Sequence, residues 1–199
     1  MNGQIVKQER IKVGNKIVET TIKELPLYRL CKTQASHWWE SGMFDEFLKK
    51  TKIVSVSAQY DWLNNTSDFE CDSRDIGEVL SKFRKYIKNK YGTDYKVYVV
   101  QEYRHSGSCF YLTDTTDRVD GWDSGFVGVM AMPKDVDSNL IANMITDVYE
   151  GTVDLYEIID NETDEAVDEF EYWSNADGMN KYNEIADEIK NKYGLELGD

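Results

Sequence analysis

The chain reads as an α+β protein with a mainly antiparallel sheet, about four helices and an N-terminal β-hairpin. Three observations predict this. The first thirty residues form two β-branched segments around Gly14-Asn15, a pair that tolerates positive φ. Strand-like and helix-like segments then follow one another in an order that suits helices packed on a sheet. Finally, the 199 residues are 41% hydrophobic and 13% aromatic, which suffices for a packed core.

Taken in order, Ile5–Val13 and Lys16–Leu25 are the arms of a basic ribbon carrying Lys7, Arg10, Lys12, Lys16 and Lys23. Lysines on an edge strand block unwanted pairing. Ser36 can cap a helix over His37–Lys50, whose last residues Lys49 and Lys50 suit the negative end of the helix dipole. Lys52–Trp62 reads as a strand and Asn64–Asp72 as a polar loop. A second helix follows Ser73, with Ile76, Val79, Leu80, Phe83 and Ile87 on one face and Gly92 as its stop. Its other face holds Lys82, Arg84, Lys85, Lys88 and Lys90. Tyr95–Arg104, Cys109–Thr113 and Phe126–Met132 are strands. Asp137 or Ser138 starts a helix ended by Gly151. Thr152–Asp160 and Ala166–Trp173 make a hairpin with apolar side chains on both faces, which partial cover on both sides or a bulge would explain. Asp177–Tyr193 is the last helix. The expected organisation is a basic hairpin or arm over residues 1–30 and a single acidic α+β domain over residues 31–199.

The charge is unevenly placed. Residues 1–100 hold 17 bases against 13 acids, whereas residues 101–199 hold 6 against 24, within a net charge of −14. Between Lys134 and Lys181, 46 residues carry fourteen acids and no base. Such a block repels nucleic acid and anionic membrane and attracts basic protein surfaces. The same stretch contains Ile141, Ile145, Val148, Leu155, Ile158, Phe170 and Trp173, so its acids belong to folded structure. The three cysteines show no pairing pattern, no apolar run opens the chain, and nothing approaches the apolar length of a membrane span. A cytoplasmic protein with free thiols is the expectation.

The acidic hairpin is the leading candidate site. Asp154, Glu157, Asp160, Glu162, Asp164, Glu165, Asp168, Glu169 and Glu171 fall within eighteen residues, and Asp147 and Glu150 crowd the end of the preceding helix. On one face of an extended strand, acids recur about every 6.6 Å. Like charges across strands and anions at a helix C-terminus both cost stability, so the pattern points to use of the charge. All eleven carboxylates are expected to contact a partner. Two cation frames compete. Asp160, Glu162, Asp164, Asp168 and Glu171 match five positions of a calcium loop, but Glu165 replaces the glycine of its sharp turn and the flanks are strands. Asp114, Asp117, Asp120 and Asp123 recur every three residues in a loop with Gly121, a candidate divalent-metal site, although aspartate more commonly serves turns. His105 and Cys109 flank a turn without a third orienting group, and Trp122 stands where a nucleophile elbow before Ser124 needs glycine. His37-Trp38-Trp39 could stack bases. No cofactor is expected.

Tyr103-Arg104-His105-Ser106-Gly107, followed by Trp122-Asp123-Ser124-Gly125-Phe126-Val127-Gly128, resembles a set of uncharacterised small acidic proteins of phages, plasmids and other mobile elements. Those carry Tyr-x-His-Ser-Gly, then Trp-Asp-Ser-Gly-Gln-Val-Gly, then a helix and an acidic hairpin. The likeness spans residues 100–175, with Phe126 where the set carries Gln. It implies a mobile-element context, in which small acidic proteins block host defence nucleases. The expectation is therefore a non-enzymatic inhibitor of the anti-CRISPR or anti-restriction kind. It would set a nucleic-acid-mimicking face against a basic groove in the host bacterial cytoplasm, with homodimerisation as a means of extending that face. The charge argues against direct binding of nucleic acid. The alternatives are a metal-dependent nucleic-acid enzyme using the Asp114–Asp123 loop, or an acidic non-enzymatic mobile-element housekeeping protein.

Overall fold

In a computed structural model of the chain, the described residues are 4–5, 8–13, 16–21, 25–34, 43–71, 73–119 and 123–197. They form an α+β fold in which Gln4–Ile5 pairs with Leu25–Pro26, Gln8–Val13 with Lys16–Thr21, Tyr28–Gln34 with Val153–Asp160, Val54–Ser57 and Tyr95–Arg104 with Ser124–Pro133, and Tyr95–Arg104 with Ser108–Thr113, each antiparallel. Gly14-Asn15, Ser36, His37-Trp38-Trp39, Asp120, Gly121 and Trp122 lie outside them. The contacts divide into two compact units rather than at residue 30. One comprises residues 1–34, 154–172 and 177–199, and the other residues 35–153 and 173–176. Strand Tyr28–Gln34 groups with the C-terminal hairpin because it pairs with it residue by residue.

The first unit begins with β1 (Gln4–Ile5), β2 (Gln8–Val13), β3 (Lys16–Thr21) and β4 (Leu25–Pro26). The expected hairpin is present: β2 pairs with β3 from Gln8↔Thr21 to Val13↔Lys16, and β1 pairs with β4. Then β5 (Tyr28–Gln34) lies beside the later C-terminal strands β10 (Val153–Asp160) and β11 (Ala166–Trp173) in the order β11-β10-β5. Tyr28, Leu30, Tyr156, Ile158, Phe170 and Tyr172 pack beneath Tyr182, Ile185 and Ile189 of the last helix. That helix, α4 (Ser174–Tyr193), is broken at Gly178, whose φ of 69° suits a residue without Cβ.

The larger unit is built on a four-stranded sheet ordered β6-β9-β7-β8, with β6 (Val54–Ser57), β7 (Tyr95–Arg104), β8 (Ser108–Thr113) and β9 (Ser124–Pro133). Helix α2 (Ile76–Tyr91) packs Leu80, Phe83 and Ile87 against Val99, Val129 and Ala131 on one face. On the other face, α1 (Met43–Lys50) and α3 (Ser138–Glu150) pack Phe44, Leu48, Ile141 and Ile145 against Tyr98, Val100, Met130 and Met132. Cover on both faces explains why Val127–Met132 reads as an unbroken apolar run.

Three local outcomes differ from the sequence expectation. Strand β6 ends at Ser57 instead of continuing to Trp62, because the Ser57 hydroxyl accepts hydrogen bonds from the Gln59 and Tyr60 amides at 3.1 and 3.0 Å. Helix α2 starts at Ile76, capped by Asp75, whose carboxylate accepts from the Glu78 amide. An unexpected bulge lies in β9. Val100 pairs with Gly128 but Gln101 pairs with Phe126, leaving Val127 as the extra residue. No helix among the described residues is long and apolar enough to cross a membrane.

Candidate functional site: the acidic sheet

Strand alternation divides the hairpin acids between two faces. Tyr156 and Ile158 of β10, and Phe170 and Tyr172 of β11, point toward α4. Asp154 and Asp168 share that parity and sit at the margins of the apolar patch, where cations reach them. Lys32 contacts Asp154 at 3.0 Å. Lys192 donates to Asp168 at 2.6 Å, and the Tyr193 hydroxyl donates to the same oxygen at 2.7 Å. These two donors hold the Asp168 carboxyl below the usual aspartate range, and the carboxylate in turn raises the Lys192 ammonium.

The turn occupies two more aspartates. One oxygen of Asp160 accepts from the Glu162 and Thr163 amides at 2.7 and 3.1 Å, an Asx turn that closes the hairpin. Asp164 adopts a positive φ of 61° and forms an ion pair with Arg29, which also donates to Asn161 at 2.8 Å. Asn161 donates from its amide side chain to the Pro26 carbonyl at 2.7 Å, tying the turn to the start of β5.

The five glutamates of the hairpin behave differently. Glu157, Glu169 and Glu171 have the opposite parity, on the face turned away from α4, while Glu162 and Glu165 belong to the turn. Glu162, Glu165, Glu169 and Glu171 are exposed and Glu157 is half-buried. Among the described residues, no cation pairs with any of the five. Val167, 48% exposed, shares the outer face of β11. Of the nine hairpin acids, the four aspartates are thus tied into the fold, while the five glutamates have no cation partner among the described residues and all but Glu157 are exposed.

Asp147 and Glu150, expected on the partner-binding face, belong to the larger unit and serve its architecture. Asp147 is fully buried. Its carboxylate accepts from the Thr152 hydroxyl at 2.5 Å, the Asn175 side-chain amide at 2.8 Å, and the Asn175 and Ala176 backbone amides at 2.9 Å. An anion at the end of α3 is thereby satisfied at the start of the next helical turn, where backbone N–H groups favour it. Asp147 is accordingly a structural cap and is removed from the candidate contact surface. Glu150 is exposed, but it accepts from the Ser108 amide at 2.8 Å, tying the end of α3 to β8.

The aspartate loop is organised by its backbone. The buried Gln101 donates to the Thr113 hydroxyl and the Asp117 carbonyl, both at 2.8 Å, and accepts from the Val119 amide at 3.1 Å. Arg84 donates to the Asp114 carbonyl at 2.7 Å. Carbonyls are used where the metal frame would use carboxylates. Among the described residues no group of three or more His, Cys, Asp or Glu is placed to hold a metal ion, in this loop or in the calcium frame of the hairpin. His105 lies 3.7 Å from Asp123, Cys109 is an exposed free thiol, and Ser124 is buried.

Sequence reasoning did not single out one polar cluster. Glu102 is 3% exposed, accepts from Tyr60 at 2.7 Å and from Arg104 at 2.6 Å, and Arg104 also donates to the Tyr60 oxygen at 2.6 Å. Burial, then the neighbouring carboxylate, pushes the Tyr60 phenol well up. The available signal was Gln101-Glu102 following the apolar run of β7. Two polar residues in a covered strand must have partners.

Comparison with known protein families, curated proteins and solved structures finds no match to this chain.

Proposed function

We propose that this chain is a non-enzymatic inhibitor of phage or mobile-element origin. On this reading it sets the glutamate face of its three-stranded sheet against the basic, nucleic-acid-binding groove of a host defence nuclease of the CRISPR or restriction kind. The observation that carries the reading is the division of labour in the hairpin. Glu157, Glu162, Glu165, Glu169 and Glu171 have no cation partner among the described residues, although Arg29, Lys32 and Lys192 lie on the same unit and pair with aspartates instead. Carboxylates with no cation partner among the described residues, on a strand face and its turn, meet a phosphate-binding groove with complementary charge. Their length lets glutamates adapt to a partner's lysines and arginines, whereas short aspartates close turns on backbone amides.

The test is capture of a defence nuclease from a bacterial host lysate at low and moderate salt. The wild-type chain is expected to retain the nuclease and to lose it steeply as salt rises. Changing Glu157, Glu162, Glu169 and Glu171 together to Gln should abolish retention. Asp154→Asn, which alters an acid already paired with Lys32, should leave it nearly intact. Retention that survives the fourfold glutamate change refutes groove competition through this face.

A further inference from the structure

The bulge in β9 has a second consequence, in the larger unit. By adding Val127, it returns Phe126 to the α2 side of the sheet, where Phe126 packs at the edge of the apolar cluster that holds Val129 and Ala131. Beside it lies a cavity of about 580 Å3, within the range typical of small-molecule sites. Val56, Phe69, Ile76, Val79 and Phe126 line it, and each remains only partly buried. They continue the core formed by Leu80, Phe83 and Ile87 but leave its last layer unfilled. Gly128 forms part of the same wall. A Cβ there would stand 2.2 Å from the Val56 carbonyl oxygen, so the close approach of β6 and β9 at this point requires glycine.

The rim has a defined charge. Arg74 lines the cavity, is exposed, and has no carboxylate partner among the described residues, in a chain with 37 acids and 23 bases. Two described acids that follow it in the chain are engaged elsewhere. Asp75 accepts from the Glu78 amide at 3.0 Å, and Glu78 accepts from the Ser73 hydroxyl and from Lys82, both at 2.7 Å. A second guanidinium, that of Arg118, stacks over the Phe126 ring at 5.9 Å. A largely apolar cleft, with a guanidinium at its mouth that pairs with no carboxylate among the described residues, selects a ligand with an apolar body and one anionic end.

We propose that this cavity binds an amphipathic monocarboxylate, its hydrocarbon or aryl body completing the layer between Val56, Val79 and Phe126 and its carboxylate meeting Arg74. The site is independent of the glutamate face.

The test is titration of the full chain with decanoate, below its micellar range, and with 1-decanol, followed by calorimetry and amide NMR. Decanoate should bind saturably at one site, with shifts concentrated at Val56, Val79 and Phe126. Arg74→Gln should weaken decanoate about tenfold, roughly the loss of one charge-assisted contact, and leave 1-decanol unchanged. Ala58→Trp, at an exposed position of the lining, should block both ligands without altering the circular-dichroism melt. If that variant melts differently, Phe126→Gln, which removes an apolar wall, takes its place. No saturable binding at millimolar decanoate overturns the proposal, as does equal binding by wild type and the blocked variant. An unchanged decanoate affinity in Arg74→Gln overturns the carboxylate assignment.

Discussion

Truncating Asp147 to alanine tests how far an acid can be an internal cap in a protein this acidic. The side chain is fully buried and accepts from one hydroxyl, one side-chain amide and two backbone amides, all within 2.5–2.9 Å. Asp147→Ala strands those donors. An unsatisfied buried donor costs about 1–3 kcal/mol, partly offset here because no charge need be desolvated and because Asn175 and Thr152 can turn toward water. A net loss of about 3–5 kcal/mol follows, in line with breaking one side of a buried polar pairing. For a chain of this size that lowers the melting temperature by roughly 10 °C. Asp147→Asn keeps the shape but offers one acceptor in place of two and aims an N–H at other donors, so it should fall between alanine and wild type. Urea unfolding followed by circular dichroism is the assay, with Glu169→Gln as the surface control, expected within about 0.5 kcal/mol of wild type. If Asp147→Ala loses no more than the Glu169 control, Asp147 is not the cap that holds this turn.

Two further predictions concern the sheets. Gly128→Ala should destabilise the larger unit by about 1–3 kcal/mol or more, since the added Cβ meets the Val56 carbonyl and β6 must move, whereas Gly125→Ala meets nothing within 4 Å and should be nearly neutral. The same urea titrations compare them. Asp168 is depressed in the folded chain by Lys192 and Tyr193, so its contribution to stability is present above the unfolded aspartate pKa of about 3.9 and is lost as pH falls through its lower folded value. Carboxyl carbon NMR should therefore show Asp168 titrating below ordinary aspartates. Lys192→Met together with Tyr193→Phe should return it to the usual range, and an unchanged midpoint in that double variant would sink the assignment.

Much of the fold was legible because its signals are short-range. Gly92 and Gly151 stop α2 and α3 where the helical spacing ends, and each has positive φ. The Asn161–Glu165 turn closes as its composition suggests. The boundaries that moved did so for equally local but less visible reasons. The Ser57 hydroxyl captures two amides and ends β6, and Asp75 caps α2, two residues beyond Ser73. The bulge at Val127 leaves no trace in the alternation, because β9 is covered on both faces and apolar on both.

The sequence by itself determined that residues 135–180 would be a folded and strongly anionic segment, since that needs only the composition and the apolar periodicity. It could not determine which carboxylates are free. Arg29 and Asp164 are 135 residues apart, Asp147 and Asn175 are 28 apart, and Lys192 reaches Asp168 across 24. A carboxylate's partner is set by distance in space, because hydrogen bonds act over about 3 Å and screened charges over about 10 Å. Only the tertiary structure brings those donors to the aspartates and, among the described residues, leaves the hairpin glutamates without a cation.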